Sequence, residues 1–168
     1  VTSGKTAGSE IHPEPTKNKL KGFVIIDYGV TYQKFMSDMT RTIYIGTPTK
    51  EEEEIYDKLL SVQKECVRLS REGTVAGLID AQARALLGSE RKYFIHTLGH
   101  GVGTKIHENP KIFFKDTKSM LKEGMVITIE PGLYVKGKYG MRIEDTILVT
   151  KNAPKILTKS NKNLIIVK

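Results

Sequence analysis

The feature that most constrains this chain is a set of acidic side chains and one histidine that lie at the ends of apolar runs. The five residues are Asp27, Asp38, His100, Glu130 and Glu144. They occur in the segments IIDYGV, SDMTRT, HTLGHGVG, ITIEPGLY and MRIEDT. Carboxylates that converge in a protein pocket repel one another, and some must take up protons unless cations are present. If folding brings these residues together, the site must be able to hold positive charge.

Two divalent cations would balance this set, because they supply four positive charges against its four carboxylates. Bridging carboxylates hold two metal ions roughly 3.5–4 Å apart, a spacing that suits the activation of a shared water. Oxygen ligands with a single imidazole favour Mn²⁺, Co²⁺, Fe²⁺ or Zn²⁺ over ions that prefer thiolates. The alternative is that each acid is an unrelated surface or strand-end residue, and the shared apolar context of the whole set argues against it.

The acids form two pairs that antiparallel strands could bring together. Asp27 ends one apolar run, and Asp38 begins the strand after the next turn. Glu130 and Glu144 flank a segment rich in turn residues, which again resembles a hairpin. Strand pairing would place the members of each pair side by side. Asp145 should point to the opposite face from Glu144, so we predict that it supports the site or the fold rather than binding metal directly.

Hydrophobic patterns predict an α+β fold, in which an antiparallel sheet carries helices on one face, within a single domain, 1–168. A capping box at Thr49 and Glu52 opens a helix over about 49–72, and a second helix covers about 78–87. Residues 1–21 are predicted to be loop with at most short strand pieces. The predicted strands cover residues 22–27, 39–45, 93–97, 125–129, 133–135, 141–149 and 164–167.

Composition argues against several classes of protein. No apolar run approaches the roughly 20 residues of a membrane span, so we expect no membrane contact. The single cysteine, Cys66, cannot form an internal disulfide and indicates a reducing, cytoplasmic location. The formal net charge is +8, but the lysines are scattered along the chain, so we do not expect nucleic acid as a partner.

The four histidines all lie near candidate site segments. His96 and His100 are four residues apart, but the surrounding glycines favour a loop or strand end over a helical zinc pair. His107 follows in KIHENP, and His12 lies in IHPEP. One neutral imidazole can bind a metal while a second donates a proton near neutral pH. For His12, an exposed loop position is an equal alternative.

In their order along the chain, the segments IIDYG, SDMTRT, HTLGHGVG, IHENP, TIEPGLY and GMRIEDT resemble one protein family. It is the Xaa-Pro dipeptidase (prolidase) and Xaa-Pro aminopeptidase branch of the pita-bread metallopeptidases. Methionine aminopeptidases share the fold and ligands, but their last motif typically ends in Glu-His-Thr, where this chain has Glu144-Asp145-Thr146. The resemblance implies that two divalent ions, Mn or Co before Zn or Fe, support hydrolysis of the bond preceding proline by a metal-bridging hydroxide.

The resemblance also implies roles for individual residues. Asp27 would bind one metal, Asp38 and Glu144 would bridge both, and His100 and Glu130 would complete the other. Glu130 would help to deprotonate the attacking water, and His107 would stabilise the intermediate or protonate the leaving nitrogen. His96 and Arg142 would hold the carbonyl or carboxyl end of a proline-containing dipeptide or peptide, with His12 lining the pocket.

A complete catalytic domain of this family has two pseudo-symmetric halves, each with a helix pair, and only the second pair is found here. We therefore expect an N-terminally incomplete pita-bread fold with Val1 as a cleavage point or an edge, a homodimer, and possibly a separate chain carrying the first pair. Dipeptidase and aminopeptidase activities both stay open. The alternatives are a metal-free pita-bread module that binds peptides, histones or nucleic acid, and a creatinase-type metal-free hydrolase; the ligand set argues against both.

Overall fold

The computed structural model of the chain describes residues 1–11 and 13–168, so the predicted site residue His12 lies outside the described residues. The helices are α1 (Gly4–Ala7), α2 (Lys50–Leu69), α3 (Ala76–Leu87) and a 3₁₀ helix at Gly88–Tyr93. The strands are β1 (Thr2–Ser3), β2 (Gly22–Tyr28), β3 (Thr31–Tyr32), β4 (Phe35–Met36), β5 (Met39–Ile45), β6 (Gly99–Gly101), β7 (Glu108–Ile112), β8 (Val126–Ile129), β9 (Gly132–Val135), β10 (Tyr139–Arg142), β11 (Asp145–Leu148), β12 (Lys155–Ile156) and β13 (Ile165–Val167).

The strands form two larger sheets and two short hairpins. The first sheet has the order β1-β2-β5-β13 and the second has the order β12-β11-β8-β6-β7, while β3–β4 and β9–β10 pair separately. Strand β13 runs parallel to β5, so the first sheet is mixed, whereas the other strand pairs of the described residues are antiparallel, as predicted. The parallel pairing arises because the chain returns to the first sheet, as β13, by a long connection rather than by a hairpin.

The strand registers bring the two members of each acidic pair to the same end of paired strands, as predicted. Strands β2 and β5 pair antiparallel with Asp27 opposite Thr40, which places Asp38 at the same end of the sheet. In the second sheet, the antiparallel pairing of β8 and β11 ends one residue short of both Glu130 and Glu144. The chain between these two glutamates forms the β9–β10 hairpin. Antiparallel strands therefore return the second acid of each pair to the level of the first.

Helix α2 begins and helix α3 ends where their local signals predict, whereas α2 ends three residues before the predicted residue 72 and α3 begins two residues before the predicted residue 78. The Thr49 hydroxyl accepts a hydrogen bond from the Glu52 amide at 3.2 Å, and the Glu52 carboxylate accepts one from the Thr49 amide at 2.9 Å. This capping box satisfies two backbone donors at the start of α2. Helix α3 ends at Gly88, whose φ of +62° is accessible to glycine at little cost.

Three local predictions are wrong. Residues 93–97 do not form a strand: the 3₁₀ helix ends at Tyr93, and the carbonyls of Phe94 and His96 accept hydrogen bonds from Arg84 at 2.8 and 2.7 Å instead of entering a ladder. The predicted strand at 141–149 is two strands, because the chain changes partner from β9 to β8 between β10 and β11. The leading segment contains a short helix, α1, as well as strand.

One hydrophobic core joins both sheets to α2 and α3. Its fully buried members include Phe23 of the first sheet, Leu59 and Ile79 of the helices, and Ile127 of the second sheet. Cys66 is also buried in this core as a free thiol. In the part of the chain that the structure describes, no helix combines the length and the apolar character needed to cross a membrane.

Candidate functional site

The predicted site residues line one cavity, to which both sheets contribute. The cavity has a volume of about 980 Å³. Every predicted site residue other than His12 lies on its wall: Asp27, Asp38, His96, His100, His107, Glu130, Arg142 and Glu144. Two lysines, Lys105 and Lys111, also line it. A cavity of this size matches those that hold small-molecule or peptide ligands.

Three side chains at the base of the cavity could bind a common metal ion. Asp38, His100 and Glu144 each offer one ligand atom, and these atoms lie within 4.8 Å of one another. Glu130 is next to this cluster, with its Oε1 at 3.3 Å from Nε2 of His100. The fifth predicted ligand, Asp27, lies on the cavity wall outside the cluster.

The ring of His100 is oriented by its own strand. Its Nδ1 lies 3.0 Å from the carbonyl oxygen of Gly101, and a carbonyl can only accept, so Nδ1 carries the proton. Its Nε2 therefore presents a lone pair to the carboxylates of Asp38 at 3.7 Å and Glu130 at 3.3 Å. A lone pair that faces two carboxylates is unfavourable unless a proton or a cation lies between them.

Glycine allows the strand of His100 to approach its neighbours closely. A Cβ atom at Gly99 would lie 2.0 Å from the carbonyl oxygen of Thr128, and one at Gly101 would lie 2.4 Å from that of Asn109. Any larger residue would push β6 away from β7 and β8. The Gly-His-Gly sequence therefore places the imidazole at a fixed depth in the cavity.

Glu144 is the most enclosed of the candidate ligands. Its residue is 2% exposed, and its Oε2 accepts a hydrogen bond from the hydroxyl of Thr40 at 2.7 Å. Its Oε1 is buried and has no hydrogen-bond partner among the described residues. A buried carboxylate oxygen without a donor is costly, so this atom fits a site that receives a cation.

In the absence of cations, the cavity favours protonated carboxyl groups. Burial and the neighbouring Asp27 raise the pKa of Asp38 to about 6. Burial, with Asp38 as the main repelling charge, raises the pKa of Glu130 to about 8. Burial, Glu130 and Asp38 also raise the pKa of Glu144 well above its usual value. This clustering of acids that resist ionisation is typical of functional sites.

Asp27 is held by an arginine. The Arg142 guanidinium is 3% exposed at the residue level, and its Nη2 donates to Oδ2 of Asp27. The same guanidinium donates to the hydroxyl of Tyr134 at 2.8 Å and to that of Thr40 at 3.0 Å. Asp27 can therefore bind a metal through this oxygen only if its contact with Arg142 changes.

The other two predicted histidines that the structure describes, His96 and His107, also line the cavity. Nδ1 of His96 donates to the carbonyl of Thr97 at 2.7 Å, so its Nε2, 3.0 Å from the Tyr134 hydroxyl, is the acceptor. Burial lowers the pKa of His96 to about 4, which keeps the ring neutral. The ring of His107 packs edge-on against that of His100, with their centroids 4.3 Å apart.

Sequence reasoning missed three side chains that orient the site: Thr40, Thr128 and Tyr134. Thr128 accepts from the His100 amide at 3.1 Å and lies 3.3 Å from Glu130. Thr40 could have been found, because alternation along β5 places it on the same face as Asp38. No sequence signal indicates Tyr134. Its hydroxyl contacts both Arg142 and His96, and it reaches Arg142 because the hairpin pairs β9 with β10.

Comparison with known proteins gives the family context of this geometry. The family model described as Metallopeptidase family M24 matches residues 1–151. Among curated relatives, the Xaa-Pro dipeptidase of Pyrococcus horikoshii is 47% identical over 144 residues, which cover 84% of this chain and 41% of that protein. The Xaa-Pro dipeptidase of Pyrococcus furiosus has the same identity and coverage. The chain therefore spans less than half the length of these relatives.

Solved structures show the same fold. A recombinant prolidase from Thermococcus sibiricus matches with a TM-score of 0.92 at 39% identity, covering 98% of this chain and 46% of that chain. An X-Pro aminopeptidase from Thermotoga maritima matches with a TM-score of 0.92 at 33% identity, and the match covers 98% of this chain and 47% of the aminopeptidase chain. The chain belongs to metallopeptidase family M24 and has part of the pita-bread fold.

Proposed function

We propose that this member of metallopeptidase family M24 hydrolyses the peptide bond preceding proline, as an Xaa-Pro dipeptidase or an Xaa-Pro aminopeptidase. The observation that carries the proposal is the lone pair of His100, which faces buried carboxylates within one cavity. The names of two relatives, each an Xaa-Pro dipeptidase, support the substrate class. Because the chain spans 41% of the length of these relatives, the activity proposed is that of the whole protein.

The residues of the cavity fit divalent cations. The proposed ligands are Asp27, Asp38, His100, Glu130 and Glu144. Two observations support this role: Oε1 of Glu144 has no hydrogen-bond partner in the part of the chain that the structure describes, and the neighbouring acids have raised pKa values, so that cations would replace the protons. Two bound ions would lower the pKa of a water molecule and polarise the scissile carbonyl. An oxygen-rich set with one imidazole favours Mn²⁺ or Co²⁺, with Zn²⁺ or Fe²⁺ also able to bind.

Proton transfer would involve Glu130 and His107. Glu130 is partly buried beside the cluster, with its Oε1 3.3 Å from Nε2 of His100, and would accept the proton of the attacking water as a general base. His107 lies on the cavity wall next to His100 and would stabilise the tetrahedral intermediate or protonate the leaving nitrogen.

Substrate binding would depend on Arg142 and His96. The guanidinium of Arg142 offers a forked set of donors that suits a substrate carboxyl or carbonyl group. Tyr134 connects it to His96, whose neutral ring points into the same cavity. A bond preceding proline has no N–H, so its recognition must rely on groups of this kind. We also propose that a dimer partner closes the substrate pocket. The proposed location of the protein is the cytoplasm.

Metal content and proline release test the function together. We expect the full-length protein, loaded with Mn²⁺ or Co²⁺, to hold two ions and to release proline from an Xaa-Pro dipeptide. Asp38→Ala should lose both properties, since it removes one of the proposed metal ligands. Asp57→Ala changes an exposed aspartate of α2 and is the matched control. If the wild-type protein, after incubation with Mn²⁺ or Co²⁺, holds no metal and releases no proline, the result would contradict the proposal and favour the metal-free binding module.

A second assay separates the two possible activities. The relatives include both Xaa-Pro dipeptidases and an X-Pro aminopeptidase, so similarity does not decide between them. An Xaa-Pro dipeptide and an Xaa-Pro-Yaa tripeptide should be compared at equal concentration in the metal-loaded protein. Cleavage of the dipeptide alone would assign a dipeptidase, whereas cleavage of the tripeptide would assign an aminopeptidase.

A further inference from the structure

A buried polar network lies behind the candidate metal ligands and connects them to the C-terminal tail, which we define as residues 157–163. The network consists of Arg41 of β5, Gln63 of α2, Asp145 of β11, and Thr158 and Lys162 of the tail. The family match ends at residue 151, so the tail lies beyond the part of the chain that the family model covers.

Asp145 is the centre of this network. Its residue is 0% exposed, and each of its oxygens has two donors. Oδ1 accepts from Nη2 of Arg41 and from the hydroxyl of Thr158, both at 2.8 Å. Oδ2 accepts from Nε2 of Gln63 at 3.0 Å and from Nζ of Lys162. The buried charge is therefore fully paired, as a stable interior requires.

Lys162 ties the tail to this carboxylate. Its side chain is 15% exposed, and its ammonium also donates to Oε1 of Gln63 at 3.0 Å. Its carbonyl accepts a hydrogen bond from the hydroxyl of Tyr56 at 2.8 Å. A lysine with its ammonium held by two acceptors and its carbonyl by a third group is fixed in place rather than free on the surface.

Arg41 carries the connection from the network to the metal cluster. Its Nη1 donates to the carbonyl of Thr40 at 2.9 Å and also to the carbonyl of Glu144. On the cavity side, these same two residues are joined by the Thr40 hydroxyl and the Glu144 carboxylate at 2.7 Å. Arg41 also holds the tail, because its Nη2 donates to the carbonyl of Ser160 at 3.0 Å.

We propose that Lys162 is a positioning residue for Glu144. By pairing with Asp145, it holds the tail and Arg41 against the back of the strand, so that the Glu144 carboxylate meets the cations in a fixed position. The inference rests on the proposed function, since it assigns to Glu144 the role of a metal ligand. It goes beyond that function in making a tail outside the family match part of the metal site.

The strand geometry explains why Glu144 needs this support. Glu144 lies between β10 and β11, where the chain leaves one partner strand before it pairs with the next. Its amide donates to the carbonyl of Thr40 at 3.1 Å, and its carbonyl is held by Arg41. Loss of a side chain that orients a metal ligand typically lowers metal affinity by roughly 10–100-fold.

Cobalt binding to two matched variants of the full-length protein tests the inference. Lys162→Met keeps the aliphatic stem and removes the charge, whereas Lys159→Met does the same at an exposed position of the same tail. We expect Lys162→Met to weaken Co²⁺ binding by about tenfold and to alter the visible Co²⁺ spectrum, and Lys162→Arg to restore most of the affinity. A role in stability alone would lower Tm but leave the spectrum of the folded protein unchanged, which would overturn the inference.

Hydrogen exchange without metal gives a readout that does not depend on the proposed function. The amide of Glu144 should exchange about tenfold faster in Lys162→Met than in Lys159→Met, because loss of a charged hydrogen bond loosens the strand behind it. Equal exchange in the two variants would overturn the positioning role. A wild-type protein that binds no metal would defeat the proposed function, while the exchange result would still decide the role of Lys162.

Discussion

Glu144 and Asp145 are neighbouring acids that are almost equally buried, yet they lie in opposite electrostatic surroundings. Glu144 faces the cavity, where one of its oxygens has no partner among the described residues. Asp145 faces the back of the strand, where its oxygens accept from four side chains. Burial, with Glu130 and Asp38, raises the pKa of Glu144, whereas the pKa of Asp145 is lowered because Lys162, Thr158 and Arg41 outweigh burial.

This difference shows how one strand serves two purposes. Behind the strand, charge is neutralised by the protein itself, so that region stabilises the fold without help. In the cavity, the protein compensates the charge only in part: Arg142 lies 3.9 Å from Glu130, and Oε1 of Glu144 has no hydrogen-bond partner among the described residues. That region therefore reaches its lowest free energy only when protons or cations are added. We call these regions the rear face, centred on Asp145, and the front face, formed by Asp38, Glu130 and Glu144.

The largest expected effect is loss of the rear carboxylate. Asp145→Ala leaves the buried Arg41 and Lys162 without their anion, so we expect the free energy of unfolding to fall by about 3–5 kcal/mol. Glu144→Gln is the comparison on the front face. The metal-free cavity already disfavours ionisation of Glu144, and glutamine is neutral and keeps an acceptor for Thr40, so the metal-free stability should change by less than about 1 kcal/mol.

Urea denaturation at pH 7 with a chelator present measures both changes. The exposed Glu123, whose nearest cation is Lys151 at 3.7 Å, provides a surface control in Glu123→Ala. That variant should lie within about 0.5 kcal/mol of the wild type. If Asp145→Ala costs no more than Glu144→Gln, the distinction between the two faces is wrong.

The sequence predicts the front face better than the rear face, for a physical reason. Asp27 with Asp38, and Glu130 with Glu144, lie at the ends of apolar strands, so local patterns and hairpin pairing bring each pair together. The rear network depends on Lys162, which reaches Asp145 only through the path of the tail. No periodicity or motif specifies that path.

The errors in the predicted elements have similar origins. Residues 93–97 have strand composition, but Arg84 satisfies the carbonyls of Phe94 and His96, which removes the need for a partner strand. The hydrogen bond from Arg142 to Asp27 likewise joins the end of β10 to β2, and the sequence of neither strand predicts it. Local sequence patterns do not predict a side chain that donates hydrogen bonds to the backbone of a distant segment, or one that pairs with a distant charge.

The next largest effect is the pH dependence of the metal-free protein. The pKa values of Asp38, about 6, and Glu130, about 8, lie above their usual values of 3.8 and 4.5. The folded state therefore binds protons that the unfolded state releases, so the stability that these two groups contribute is fully present below about pH 4 and is lost as pH rises through 6 and 8. We expect a loss of about 3 kcal/mol between pH 5 and pH 8.

Chemical denaturation at a series of pH values, with a chelator present, measures this loss. The double variant Asp38→Asn, Glu130→Gln should flatten the profile, because it removes the titrating groups of the front face. Adding Mn²⁺ to the wild type should restore stability at pH 8, since cations then take the place of protons. A wild-type profile that rises from pH 5 to pH 8 without metal would show that the front carboxyls are not destabilised by ionisation.

The smallest effect concerns one hydroxyl of the rear face. Thr158 donates to Oδ1 of Asp145 at 2.8 Å, so Thr158→Val should cost about 1.5 kcal/mol, the range for a hydrogen bond to a charged group. Thr150→Val removes a hydroxyl that donates to the carbonyl of Ala153 at an exposed site, and should cost less than about 0.5 kcal/mol. Because the pKa of Asp145 is held below its usual value, the cost at Thr158 should be the same at pH 5 and pH 8. Denaturation of both variants at these two pH values measures it, and a cost that grows with pH would mean that Asp145 still titrates in this window, as the front carboxyls do.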